Sequence, residues 1–156
     1  MGVSGPGSPS PPPPDFHTPT PTLPQPMGVG MRKPYGRWEE MRPDDLEAVL
    51  DAAPVAYVPL GTFEHHGWHL PVCFDAIKAH ALCLRAAERT GGVVLPTFYY
   101  GTGGGHIGYK WTIILPEEPI RPILEATLDH LARFGFRVVV VLTGHYAGEQ
   151  VAMVHR

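Results

Sequence analysis

Two short stretches of the chain hold residues whose types and spacing can do chemistry. The first is Glu64-His65-His66-Gly67-Trp68-His69-Leu70-Pro71, followed shortly by Asp75. The second, far along the chain, is Thr143-Gly144-His145-Tyr146. Glu64 and His66 are two apart, so in extended backbone they share a side while His65 points away. With Asp75 and His145 they form a set of two carboxylates and two imidazoles, mixed donors that suit zinc, manganese or iron. Each residue alone has a plainer use. A histidine at a strand end is commonly a hydrogen-bonded structural group, and Asp75 can cap a helix. Four ligand-type residues converging on one edge of a sheet outweigh those uses. A helical metalloprotease motif is excluded: His65 and His69 are four apart, but His66 stands where that motif needs Glu, and Gly67 and Pro71 oppose a helix.

Such a set needs strands that end side by side. The pattern from Met31 onward predicts them. Asp44 and Asp45 before Leu46, Val49 and Leu50 read as the acidic start of a short helix. Val55 to Leu60 reads as a buried strand, and Asp75 to Arg89 as a helix with Ile77, His80, Leu84 and Ala87 near one face, ended by Gly91-Gly92. Val93 to Leu95 predicts a second strand, Gly101 to Gly108 a loop, Trp111 to Leu115 a third strand and Ile120 to Phe134 a second helix. Val138 to Leu142, a continuous β-branched run, is expected at the centre of a parallel sheet, with a last helix from near Gly148. Alternating strands and helices predict an α/β fold, a three-layer α/β/α sandwich around a mostly parallel sheet. The two chemical stretches then lie just beyond the carboxyl ends of two strands, where open α/β sheets bind ligands.

Composition narrows the classes. The chain has 156 residues and a formal net charge of −3, which argues against a nucleic-acid partner or a polybasic membrane anchor. No apolar run is long enough for a transmembrane helix, and the N-terminus lacks the basic and apolar blocks of a secretory signal. Two cysteines, Cys73 and Cys83, make no disulfide framework; both are expected as small core residues in a reducing, cytoplasmic setting. Ten of the 19 prolines fall in the first 30 residues, where Asp15 is the only charge. Residues 1–30 therefore read as a disordered Pro-rich tail and residues 31–156 as the folded domain. Pro11 to Pro14 contains a docking spacing, without flanking Arg or Lys; Pro6 occupies the place where a myristoylation motif wants Ser or Thr. Gly101-Thr102-Gly103-Gly104-Gly105-His106 lacks the third glycine of a dinucleotide fingerprint.

The run from Glu64 to Pro71 with Asp75, and Thr143-Gly144-His145 later, resemble the signature of the creatininase (creatinine amidohydrolase) family over roughly Trp38 to Glu149. The resemblance implies the three-layer fold and metal ligation by Glu64, His66, Asp75 and His145, with Asp75 bridging two ions. It implies a divalent cofactor, Zn or Mn with Fe a further option, and hydrolysis of a non-peptide C–N bond, cyclic amide or formamide, by metal-activated water. The partner implied is a small-molecule amide, and the assembly a homo-oligomer, by resemblance a hexamer.

Two departures stand out. Where creatininase has a Glu two residues after the later His, this chain has Ala147; the expected substitute is Glu149, at the helix start, or a residue outside this chain. The family domain also continues well past this point, so the domain is expected to be incomplete at its C-terminus. His106 is the candidate proton-transfer residue, with a solvated loop histidine as its plain alternative, and His69 orients a ligand or packs on Trp68. The alternative function is a catalytically inactive family member that acts at most as a metal-binding or interaction protein.

Overall fold

The structure, a computed structural model, describes residues 33–156. The Pro-rich tail, the docking spacing and the myristoylation site lie outside the described residues. In chain order the elements are β1 (Tyr35–Arg37), a single 3-10 turn, α1 (Pro43–Ala52), β2 (Val55–Leu60), α2 (Phe74–Thr90), β3 (Gly92–Val94), β4 (Gly101–Thr102), β5 (Ile114–Leu115), α3 (Glu117–Phe134), β6 (Val138–Thr143) and α4 (Gly148–His155). Four strands form an all-parallel sheet in the order β1-β3-β2-β6, and β4 pairs with β5 in a second, small parallel sheet.

Strand alternation sorts the core into two faces. Ala56, Val58 and Leu60 of β2 point toward α1, α3 and α4, where they pack with Val49, Ile120, Leu124, Leu131 and Met153. Tyr57 and Val94 point the other way, onto Cys83 and Ala87 of α2. Three layers result, the α/β/α sandwich that the sequence predicts. No helix among the described residues is long and apolar enough to cross a membrane.

Four expectations are corrected. β6 is not central: among the described residues it pairs only with β2, and Val138 and Val140 are exposed on the α2 side. The interior strands are β3 and β2, buried throughout except for Val55. The predicted strand Trp111–Leu115 shrinks to Ile114–Leu115, because turns closed by Tyr109 N–H to the His106 carbonyl and Thr112 N–H to the Tyr109 carbonyl run into it. Trp111 itself sits at φ 73°. α3 starts three residues early, since Pro119 falls in the first turn, where its missing N–H removes no intrahelical bond. Finally, α2 buries Ala76, Ala79 and Cys83; of the predicted face Ala87 is buried, His80 and Leu84 are half-buried, and Ile77 is exposed. The larger side chains misled the phase; the sheet accepts only small ones here.

The reason is a close approach that positions the site. Gly61 comes directly after β2, Gly144 directly after β6, and the first turn of α2 lies against both. A Cβ at Gly61 would sit 2.3 Å from the Ala76 backbone nitrogen, and one at Gly144 only 2.0 Å from the Asp75 carbonyl oxygen. β2 and β6 are in register through Leu60 and Thr143, so both strands end at one level and deliver Glu64 and His145 beside Asp75.

Gly144→Ala is therefore expected to cost roughly 3 kcal/mol through overpacking. Gly148→Ala, in open space at the start of α4, should be neutral or stabilise by up to about 1 kcal/mol. Urea unfolding of both variants checks this; equal midpoints would remove the close approach as a constraint.

Candidate metal centre

Beyond β2 the chain stays extended because neighbours staple it. Phe63 bridges Ile113, the Glu64 N–H donates to the Val72 carbonyl at 2.7 Å, and the His65 N–H donates to Thr112 Oγ1 at 3.0 Å. Glu64 and His66 therefore share one side, as their spacing predicts. His65 turns outward, stacking on Tyr109 at 5.2 Å between centroids and meeting Trp68 edge-on.

Asp75 does not cap its helix. Cys73 is the N-cap residue, and the Asp75 carboxylate is 2% exposed and faces two imidazoles. Its Oδ1 lies 3.2 Å from His66 Nε2, and its Oδ2 lies 3.2 Å from His145 Nδ1. Glu64 Oε2 is 3.1 Å from His145 Nδ1 and 3.8 Å from His66 Nε2. Glu64, Asp75 and His145, all buried, bring ligand atoms within 4.8 Å of one another. Lys78 Nζ stands at the lip, 3.7 Å from Asp75 Oδ1.

The other nitrogen of each imidazole is committed to a carbonyl. His66 Nδ1–H donates to the Glu64 carbonyl at 2.9 Å, and His145 Nε2–H donates to the Gly103 carbonyl at 3.2 Å. A carbonyl only accepts, so these bonds select the protonated nitrogen and leave His66 Nε2 and His145 Nδ1 facing the carboxylates. Two buried carboxylates opposite those nitrogens need a cation among them, either a proton or a metal ion. The donor set thus fits a divalent metal, with the outward hydrogen bonds that orient metal-binding imidazoles already made.

Proton affinities reflect the same geometry. Burial alone would lift the Asp75 carboxyl, but the His145 hydrogen bond and the His66 charge outweigh it and hold it below its ordinary value of 3.8. Burial alone would depress the His145 imidazole, yet its bonds to Asp75 and the Gly103 carbonyl and the Glu64 charge raise it above 6.5.

Of the other candidates, His106 joins the site: its Nδ1–H donates to Glu64 Oε1 at 2.7 Å, and its ring is half exposed. Glu149 does not. It is exposed, and its carboxylate accepts the Gly104 N–H at 3.4 Å, across the glycine loop from the cluster. His69 is exposed and lies near Gly67. Cys83 is a core residue whose thiol burial pushes up to about 11, whereas Cys73 is only half-buried; both are free. The sequence reading missed Gln150, completely buried behind His145. One signal was present: Gln150 is three residues before the buried Met153, so it occupies the core-facing stripe of α4.

The creatininase family profile, described as creatinine amidohydrolase, matches residues 39–156. The chain belongs to the creatininase family. Creatinine amidohydrolase of Pseudomonas putida is 34% identical over 98 residues, covering 59% of this chain and 37% of that protein. Mycofactocin precursor peptide peptidase of Mycolicibacterium smegmatis is 31% identical over 98 residues, covering 59% of this chain and 39% of its own. A solved structure, creatininase Mn, superposes with a TM-score of 0.70 at 30% identity, covering 76% of this chain and 48% of the other. The chain thus spans about half the length of the solved family member and under two-fifths of the curated relatives. The creatininase fold is the same α/β/α arrangement of a parallel sheet between helices.

The shifts give a pH dependence for chelator-treated protein. A raised imidazole contributes stability that is full below about pH 6.5 and lost as pH rises through its folded value. The lowered Asp75 carboxyl contributes above about pH 3.8 and loses its share as pH falls through its folded value. Metal-free protein should therefore lose urea resistance as pH rises above about 6.5, and His145→Gln should flatten that loss. A wild-type midpoint that stays level across this range would contradict the arrangement.

Proposed function

We propose that this creatininase-family chain is a metal-dependent amidohydrolase, acting on a non-peptide C–N bond of a small cyclic amide or formamide. The observation that carries the reading is Asp75. Its two oxygens face different imidazoles, and each imidazole has its remaining nitrogen tied to a backbone carbonyl. That arrangement supports Asp75 as the residue shared between two ion positions, one with His66 and one with Glu64 and His145. Zinc and manganese suit these donors, with iron as a further option.

A divalent ion held there would supply an acidified water and polarise the amide carbonyl. The chain's own residues would do the rest. Glu64 and Asp75 would hold and neutralise the ions, while the carbonyls of Glu64 and Gly103 keep the imidazoles in register. His106, half exposed and anchored by Glu64, is the group placed to hold a proton for the departing nitrogen. Beside His65 and His106, Trp68 and Tyr109 expose aromatic surface that a small planar amide can lie against. The peptidase among the relatives adds peptide amides to the substrates worth testing.

A second reading, metal binding without hydrolysis, is favoured by one observation. Glu149, the expected substitute at the ligand position held by Ala147, is engaged with the glycine loop instead. We further infer a cytoplasmic, reducing setting, supported by the two free cysteines. Residues 31–156 are read as one domain, and a homo-oligomer, hexameric by family, is supported by the exposed Val138 and Val140 beside the edge of β6 that pairs with no strand among the described residues. Light scattering of the purified protein measures that assembly.

Elemental analysis and amide hydrolysis, run together, test the function. Wild-type protein should hold zinc or manganese stoichiometrically. Asp75→Asn should weaken binding by more than the roughly 10–100-fold typical of losing an outer partner, and His66→Gln should spare the ion held by Glu64 and His145. Metal with hydrolysis supports the enzyme, metal without hydrolysis supports the second reading, and full metal content in Asp75→Asn would overturn both.

A further inference from the structure

We propose that Gln150 is a positioning residue that sets the reach of His145 toward the metal; this rests on the reading of His145 as a ligand. Gln150 lies in the first turn of α4 with no solvent exposure. A primary amide in such a place must find partners for a carbonyl and for two N–H groups. It finds all three. Its Oε1 accepts the Thr102 N–H at 3.0 Å, and its Nε2 donates to Thr143 Oγ1 at 2.7 Å and to the His145 carbonyl at 3.3 Å. The Thr143 hydroxyl, having accepted from Gln150, donates in turn to the same His145 carbonyl.

These bonds close a ring. Gln150 holds the His145 main chain at one end and Thr102 at the other. The next residue, Gly103, supplies the carbonyl that receives His145 Nε2–H. The imidazole is thus suspended between two points that one buried amide keeps at a set separation, and its Nδ1 faces Glu64 and Asp75 as a result. The space is built around the amide as well, since a Cβ on Gly101 would lie 2.4 Å from Gln150 Oε1. The chemistry demands glutamine: a carboxylate in its place could accept from Thr102 but would oppose, rather than donate to, the His145 carbonyl. An apolar side chain of the same length would satisfy none of the three.

The experiment compares wild-type protein with Gln150→Met, Gln150→Glu, Thr143→Val and Thr143→Ser. Zinc affinity is measured by calorimetry, and the His145 Nε2–H proton is monitored by NMR with and without zinc. Gln150→Met and Gln150→Glu should weaken zinc binding by about 10–100-fold, the range typical of lost outer partners, and should expose the Nε2–H to rapid exchange. Thr143→Val should act in the same direction, while Thr143→Ser, which keeps the hydroxyl, should restore wild-type behaviour. A folded Gln150→Met protein with wild-type zinc affinity and a protected Nε2–H overturns the proposal. Should the Gln150 variants not fold, the Thr143 pair decides on the same two readings, and equal behaviour of Val and Ser overturns it. If wild-type protein binds no zinc, the metal reading fails by itself. The metal-free Nε2–H signal then judges the positioning: lost protection in the variants upholds it, and retained protection overturns it.

Discussion

Two carboxylates buried at one strand-end level impose the strongest constraint on this molecule. Glu64 and Asp75 are 7% and 2% exposed, and neither can keep its charge there without a compensating cation. His66 and His145 turn ring nitrogens toward them, and a metal ion held among these donors would supply that compensation. The loops around the site serve this need. The carbonyls of Glu64 and Gly103 select the tautomers, while the Val72 carbonyl and the Thr112 hydroxyl accept the N–H groups of Glu64 and His65. The fully hydrogen-bonded state of the buried side-chain polar atoms among the described residues fits that economy. Such a network tolerates little displacement, because a half-satisfied buried cluster is worse than an apolar one.

The sheet makes the convergence geometrically cheap. Glu64 and His145 are 81 residues apart in the chain, yet β2 and β6 are hydrogen-bonded neighbours in register. The segments leaving the two strands must therefore emerge at one level. The third component comes from α2, which reaches the strand ends only because Gly61 and Gly144 have no side chain and Ala76 and Ala79 have small ones. Packing and function are coupled at that contact: the first turn that fills the gap above the sheet is the turn that carries Asp75.

Some of this was legible in the sequence and some was not, for identifiable reasons. Glu64, His66, Asp75 and His145 announced themselves because ligand-type side chains flanked strand-like runs, and the alternation rule placed Glu64 and His66 on one side. The helix phase of α2 was misread because larger side chains such as Ile77 dominate a pattern search, while close packing selects Ala76 and Ala79. Val138 to Leu142 was recognisable as a strand, but its place in the sheet depends on which strand pairs beside it, and residue types do not encode that. The Gly103 carbonyl that orients His145 has no side chain to read. Gln150 could have been found only by asking why an amide shares a stripe with Met153.

The glycine loop ties the buried cluster to α4. A loop with three consecutive glycines invites description as a free lid, yet three side chains hold it. Gln150 takes the Thr102 N–H, Glu149 takes the Gly104 N–H, and Glu64 takes His106 Nδ1–H. The first two come from adjacent residues of α4 and grip the backbone; the third is a buried carboxylate of the site itself. Gly103 and Gly104 have positive φ, and a Cβ on Gly103 would collide with Glu149, so the glycines serve close approach here as much as freedom. The loop's backbone is thereby anchored to a helix while its histidine is anchored to the cluster. Any change that turns Glu64 Oε1 toward another partner releases His106 without loosening the rest of the loop. The half-exposed ring of His106 is then coupled to the buried carboxylate of Glu64 through one hydrogen bond.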